Sequence, residues 1–310
     1  MSREITPGGY WSHTLSSTMK RCDRQLYYGV YGTWEGWLRD GGGVPRRLYR
    51  AKKAHGPESW VGTLVHACIA RLLRHLRKGA PMIRDVAELL CRVEELIREG
   101  FTYSSAGLYK QLVNPKYATC IMLHDLAGED LHDHVVEGAV ERGRKCMTVF
   151  LERYLPELES HGTESWELVD SLDAVVHDGF KLFMSPDLVV RAADGVLEVI
   201  DWKTGRGTDI GQIVAYMLYL QMRSRARGVE LDATTLEGRS ISLLTGEEAV
   251  VTDVTQQMLD DKLAEIDADI AWLRELAPAG ESFDRHAFPK TPHKGFCEGC
   301  RFQLHCDTED

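Results

Sequence analysis

Near the middle of the chain, Val199-Ile200-Asp201-Trp202-Lys203-Thr204-Gly205 sets a carboxylate and an ammonium two residues apart in an apolar run that reads as a β-strand. Side chains alternate faces along a strand, so Asp201 and Lys203 project together while Ile200 and Trp202 point the other way. Asp187 lies fourteen residues upstream, in Ser185-Pro186-Asp187-Leu188-Val189-Val190. Between them Asp194-Gly195 predicts a hairpin turn, which makes the two strands antiparallel neighbours. Two carboxylates and an ammonium on one sheet edge are costly unless a cation sits between the acids, and hard oxygen ligands suit magnesium or manganese. The expected ligands are Asp187, Asp201 and the Trp202 carbonyl, with positions left for water and a phosphate oxygen. Lys203 would then stabilise charge on the phosphate and favour deprotonation of an attacking water. A purely structural Asp201 is the weaker reading, because a charge inside Val199-Ile200-Asp201-Trp202 is expensive without a partner. Glu198 should face the opposite side and stay out of the site.

A second constellation brackets the chain. Cys22 stands alone near the start, and Cys297, Cys300 and Cys306 form Cys-x-x-Cys-x5-Cys near the end, a layout expected to join the two terminal regions through a shared metal centre. No run approaches the ~20 apolar residues of a membrane helix, and the residues around Arg3 and Glu4 lack a signal-peptide apolar region. The expectation is therefore a cytoplasmic protein without a membrane segment, in which eight cysteines are metal ligands and core residues rather than four disulfides. Four thiolates suit tetrahedral zinc as well as an iron–sulfur cluster, and spacing alone does not choose between them. Cys68, Cys91, Cys120 and Cys146 fall in mostly helical patterns and are assigned no ligand role.

The elements that must position these groups follow from periodicity. Leu15, Met19, Cys22 and Leu26 recur at helical spacing, which predicts one helix through Cys22. A second helix is predicted from Trp60 to Lys78 and carries His66. Residues 82–160 read as largely helical, and 80–165 as a helical insertion or arch. Strands are predicted at Trp166–Val176, Phe180–Val190, Leu197–Trp202 and Arg239–Leu244, and helices at Ile210–Arg225 and Val254–Leu276. Asp40 to Pro45, with Gly41, Gly42 and Gly43, reads as a loop. A net charge of −10 argues against bulk coating of nucleic acid, yet residues 1–80 carry fourteen Lys and Arg against five acids. Lys20, Arg21, Arg24, Arg46, Arg47, Arg50, Lys52, Lys53 and Arg71 could make a groove that tracks one phosphate backbone, or simply a solvated charged surface.

The Pro186-Asp187 and Asp201-Trp202-Lys203 elements together resemble the PD-(D/E)XK nuclease superfamily. Gly62-Thr63-Leu64-Val65-His66-Ala67 is similar to the histidine motif of its RecB-like branch, and Gln212-x-x-x-Tyr216 to that branch's Gln/Tyr helix motif. Gln212 and Tyr216 share a helical face at i, i+4, so both can reach the strand or the substrate. Cys22 with Cys297, Cys300 and Cys306 resembles the iron–sulfur subset, seen in the AddB nuclease domain, the CRISPR-associated adaptation nucleases and exonuclease V.

The resemblance implies a restriction-endonuclease-like α/β fold, a central mixed β-sheet flanked by helices. It further implies one nuclease domain over 1–310, a catalytic core at 187–220, and a clamp of residues 22 and 297–306. It implies that His66 adds a ligand to the Mg2+ or Mn2+ site, and favours a structural [4Fe-4S] cluster over zinc. The implied activity is a DNA exonuclease of repair, recombination or phage defence and CRISPR adaptation, acting on single-stranded DNA, with a helicase or another DNA-processing protein as partner. Trp11, Tyr27, Tyr28, Tyr31, Trp34 and Trp37 would stack bases or fill the core. A catalytically silent DNA-binding scaffold subunit and an endonuclease on the same core are the alternatives.

Overall fold

In the computed structural model the described residues are 8–38, 42–79, 86–278 and 283–307. The strands are β1 (Tyr10–Trp11), β2 (Trp166–Val169), β3 (Asp173–His177), β4 (Phe180–Met184), β5 (Leu188–Arg191), β6 (Leu197–Lys203), β7 (Leu236–Ser242) and β8 (Glu248–Val251). The helices are α1 (His13–Arg21), α2 (Asp23–Val30), α3 (Gly43–Lys53), α4 (Pro57–Arg77), α5 (Val86–Ser105) and α6 (Leu123–Ala127). They continue with α7 (Asp133–Val149), α8 (Leu155–Ser160), α9 (Ile210–Ala226), α10 (Gln256–Leu276) and α11 (Gln303–Asp307). Phe150–Tyr154, between α7 and α8, is a π-helical turn. The α/β class expected from the sequence is the class observed.

Five strands form a mixed sheet in the order β2-β5-β6-β7-β8, and three form a smaller sheet in the order β1-β4-β3. β5 and β6 are the expected antiparallel hairpin, with Leu188 opposite Ile200, and Gly195 in the left-handed region (φ 93°) makes its turn possible. β6 pairs in parallel with β7, Asp201 opposite Ser240, and a parallel step needs a crossover, which α9 supplies. Alternation along β6 then assigns its faces. Ile200 and Trp202 join Trp60, Val61 and Val65 of α4 and Cys146 and Met147 of α7 in one core. Val199 joins Ile213, Met217 and Tyr219 of α9 in the other. Behind Trp202, Phe150 packs edge-on at 5.3 Å and Tyr154 tilted at 5.5 Å between ring centres.

Several expectations are corrected. The predicted helix through Cys22 is two helices, with Cys22 extended between them (φ −168°, ψ 117°). The Arg24 amide donates to Pro289 O at 3.0 Å, so a contact from the far end of the chain fixes the break. The single runs Trp166–Val176 and Phe180–Val190 each divide between the two sheets. Asp170 turns the first (φ 41°), and in the second Pro186 has no N–H to offer a ladder. The Asp40–Pro45 loop is partly helical, since α3 begins at Gly43, while Asp40 and Gly41 lie outside the described residues, as do 80–85 of the predicted helical stretch. Trp11, Tyr28 and Tyr31 are core residues rather than open stacking platforms. Tyr27, Trp34 and Trp37 are half-buried, Trp34 and Trp37 edge to face at 5.1 Å. Among the described residues no helix is long and apolar enough to cross a membrane.

Candidate active site

Three elements deliver the expected side chains to one end of the large sheet. Asp187 precedes β5, Asp201 and Lys203 end β6, and α9 runs back over that face with Gln212 and Tyr216 in its first two turns. His66 reaches in from α4: its Nδ1 lies 2.9 Å from Asp187 Oδ1. The other Asp187 oxygen accepts the Trp202 amide at 2.8 Å, which ties the two strands together at the site. Lys203 donates to Gln212 Oε1, Gln212 Nε2 donates to the Tyr216 hydroxyl at 2.6 Å, and that hydroxyl donates to Ser185 O at 3.1 Å. His66, Asp187, Asp201, Lys203, Gln212 and Tyr216 thus form one continuous polar network. The Trp202 side chain lies on the opposite, apolar face.

Electrostatics single out Asp201, which is 3% exposed. Lys203 Nζ is 2.7 Å from its Oδ2, yet the approach is off hydrogen-bonding geometry and leaves this buried oxygen without a directed donor. Burial first, then the Asp187 carboxylate, pushes the Asp201 carboxyl above its ordinary range, against the pull of Lys203 and His66. Burial pulls His66 down, but Asp187, as charge and as hydrogen-bond partner, with Asp201 beyond it, outweighs that and leaves the imidazole raised. Burial, and next Asp201, raises the Tyr216 hydroxyl, so it stays a neutral donor. Crowded carboxylates with an undirected buried oxygen are the setting a hard divalent cation relieves. The donor types therefore fit such an ion, although among the described residues no three His, Cys, Asp or Glu side chains form a group that would hold a metal. His66 and the Trp202 amide occupy both oxygens of Asp187 and account for that.

The thiols gather more loosely. Burial pushes the Cys300 thiol up, and the nearby Cys22 and Cys297 push it further. Cys300 and Cys306 pack beside Tyr28, Leu48, Ala51 and Phe302. The same absence of a three-ligand group applies to these cysteines, whose soft donors suit an iron–sulfur cluster or zinc. Cys120 and Cys146 are buried core thiols, Cys68 is half-buried and Cys91 exposed, and none belongs to this gathering.

Sequence reasoning missed two contributors. Asp209 caps α9 by accepting the Gln212 amide at 2.9 Å, and His13 Nε2 of α1 lies 2.9 Å from its other oxygen. Asp-x-x-Gln before a helical pattern is a capping signal and could have found Asp209. No sequence signal links it to His13. The basic N-terminal set is partly committed internally: Lys20 pairs with Glu265, Arg24 Nε donates to Phe288 O at 2.8 Å, and Arg46 donates to Leu38 O at 2.6 Å.

Residues 10–307 match the family model of the PD-(D/E)XK nuclease superfamily. No curated protein matches the chain.

Proposed function

The chain belongs to the PD-(D/E)XK nuclease superfamily, which makes it a metal-dependent nuclease, and from this premise we propose that it is a DNA exonuclease of the RecB-like, iron–sulfur branch. The observation that carries the reading is the convergence of His66, Asp187, Asp201 and Lys203 with the Gln212–Tyr216 pair on one sheet edge. A Mg2+ or Mn2+ ion held by Asp187, Asp201, His66 and the Trp202 carbonyl would supply Lewis acidity at the scissile phosphate and at its attacking water. Lys203 places its ammonium beside the phosphate, where negative charge builds in the transition state. Gln212 accepts from that ammonium and donates to Tyr216, so the lysine is aimed rather than free to swing. Tyr216, donating to Ser185 O, fixes α9 against the turn that presents Asp187. His66 orients the Asp187 carboxylate from the α4 side.

Cys22, Cys297, Cys300 and Cys306 are proposed to hold a structural [4Fe-4S] cluster, in a reducing cytoplasm that keeps thiols available. Single-stranded DNA is the proposed substrate, and a helicase or another DNA-processing protein the proposed partner. The test is cleavage of end-labelled single-stranded DNA with Mn2+, beside Lys203→Ala and a circular substrate. Shortening from an end by the parent only, with the circle uncut, is expected. A cut circle would instead mean an endonuclease.

One observation favours a second reading, a catalytically silent DNA-binding subunit. Both Asp187 oxygens are engaged by protein donors, and no three ligands gather among the described residues. An anaerobically prepared parent that binds DNA but never shortens it would establish that reading.

A further inference from the structure

Away from the Asp201 site, a cleft of about 550 Å3 opens between α3, the turn at Leu108–Gln111, α6 and the segment around Cys300. Its wall holds Arg50 Nε, Tyr109 OH and Asp125 Oδ2, three buried polar atoms without a hydrogen-bond partner among the described residues. Tyr109 is 1% exposed. The three groups sense one another: burial raises the Tyr109 hydroxyl, Asp125 raises it further and Arg50 opposes. Buried polar atoms are rarely left unpaired, and several facing one cleft ask for an occupant that pairs with them. That occupant must accept from the Arg50 N–H and donate to the Asp125 carboxylate. Arg47, Lys110 and Arg301 also line the cleft, so cations outnumber acids and the occupant should be anionic. An anion that also carries an N–H donor matches a nucleotide whose base bears an exocyclic amine.

We propose that this cleft is a second nucleotide site, taking a phosphate on Arg47 and Arg50 and a base amine on Asp125. The proposal deepens the nuclease reading and rests on it. The chemistry is shared by a free nucleotide and by one residue of a strand, and the test separates them.

The test measures binding to the full chain carrying Lys203→Ala, so that nothing is cut. An oligodeoxycytidine is compared with an oligodeoxythymidine of equal length, and dCMP with dTMP. The amine-bearing member of a pair should bind about fivefold tighter. Asp125→Ala should bring that ratio to about one, and Arg50→Gln should weaken both members about tenfold. Discrimination by the oligonucleotides alone assigns the site to a strand, and discrimination by the mononucleotides as well assigns it to free nucleotide. Equal affinities within both pairs would overturn the proposal, water then being the occupant. Because these ratios are read first without altering Arg50 or Asp125, misfolding of either variant leaves the result intact. Failure of the nuclease reading is a separate outcome, the parent protein not cutting DNA with Mn2+.

Discussion

Asp201 and Cys300 belong to two regions built in opposite ways. The first lies on a seven-residue strand buried on both faces and is overlaid by a seventeen-residue helix, with Gln212 and Tyr216 on that helix's inner side. The thiols hang on short pieces: extended Cys22 between two helices, Cys297 at the end of a three-residue turn, and Cys306 in the five-residue α11. Around them is the small cluster of Tyr28, Leu48, Ala51 and Phe302, whereas the faces of β6 share the two large cores. The sheet fixes the carboxylate site through burial that needs no ligand. The terminal region buries too little apolar surface to hold itself so firmly, and a bound inorganic centre would supply the missing cross-link.

Four substitutions sharpen or break this contrast. Asp201→Ala should abolish Mn2+-dependent cleavage, by about 10^3-fold or more, with little change in melting temperature, since the residue removed is a buried carboxylate at a cost. Parallel kinetics and thermal melts would show whether site and fold are separable. A large fall in melting temperature would mean that the carboxylate also holds the sheet.

Cys300→Ser should act the other way. Loss of the cluster's broad visible absorbance should accompany a melting temperature lowered by roughly 5–10 °C. Limited proteolysis should then cut first within 283–307. An unchanged melt would put the two regions on an equal footing.

Gly238→Ala probes the seam under α9, where an added Cβ would meet Ile213 Cγ2 at 2.5 Å and Met217 Cε at 2.8 Å. Overpacking there should cost about 1–3 kcal/mol in urea unfolding and slow cleavage by tilting Gln212. Retained rates would show that α9 can shift without disturbing Lys203.

Tyr216→Phe is the mildest, keeping the packing and losing the hydroxyl between Gln212 and Ser185 O. About 1 kcal/mol of stability and a severalfold loss of kcat are expected, measured in the same melts and assays.

What could be read in advance divides along the same line. β6, its hairpin with β5 and the helix bearing Gln212 follow from local rules: alternation, Asp194-Gly195, and a long apolar pattern behind a cap. Asp201 and Lys203 were assignable to one face for that reason. Cys22 was misplaced on a continuous helix because Leu15, Met19 and Leu26 keep their spacing across a break made by Pro289, far away in sequence. β1 is two residues long and exists only through its pairing with Lys181 and Leu182, which no local pattern announces. His13 beside Asp209 is likewise a product of the assembled fold.

The π-helical turn at Phe150–Tyr154 carries one further consequence. A π turn holds an extra residue relative to the regular ladder, so deleting one position there would restore ordinary winding. Each residue of an α-helix advances about 100°, and α7 would therefore rotate by that angle against α8. Phe150 and Tyr154 could not then both cradle the indole of Trp202 from behind. A one-codon deletion in this turn should scar the strand's reactive edge from its reverse side, without touching any polar group.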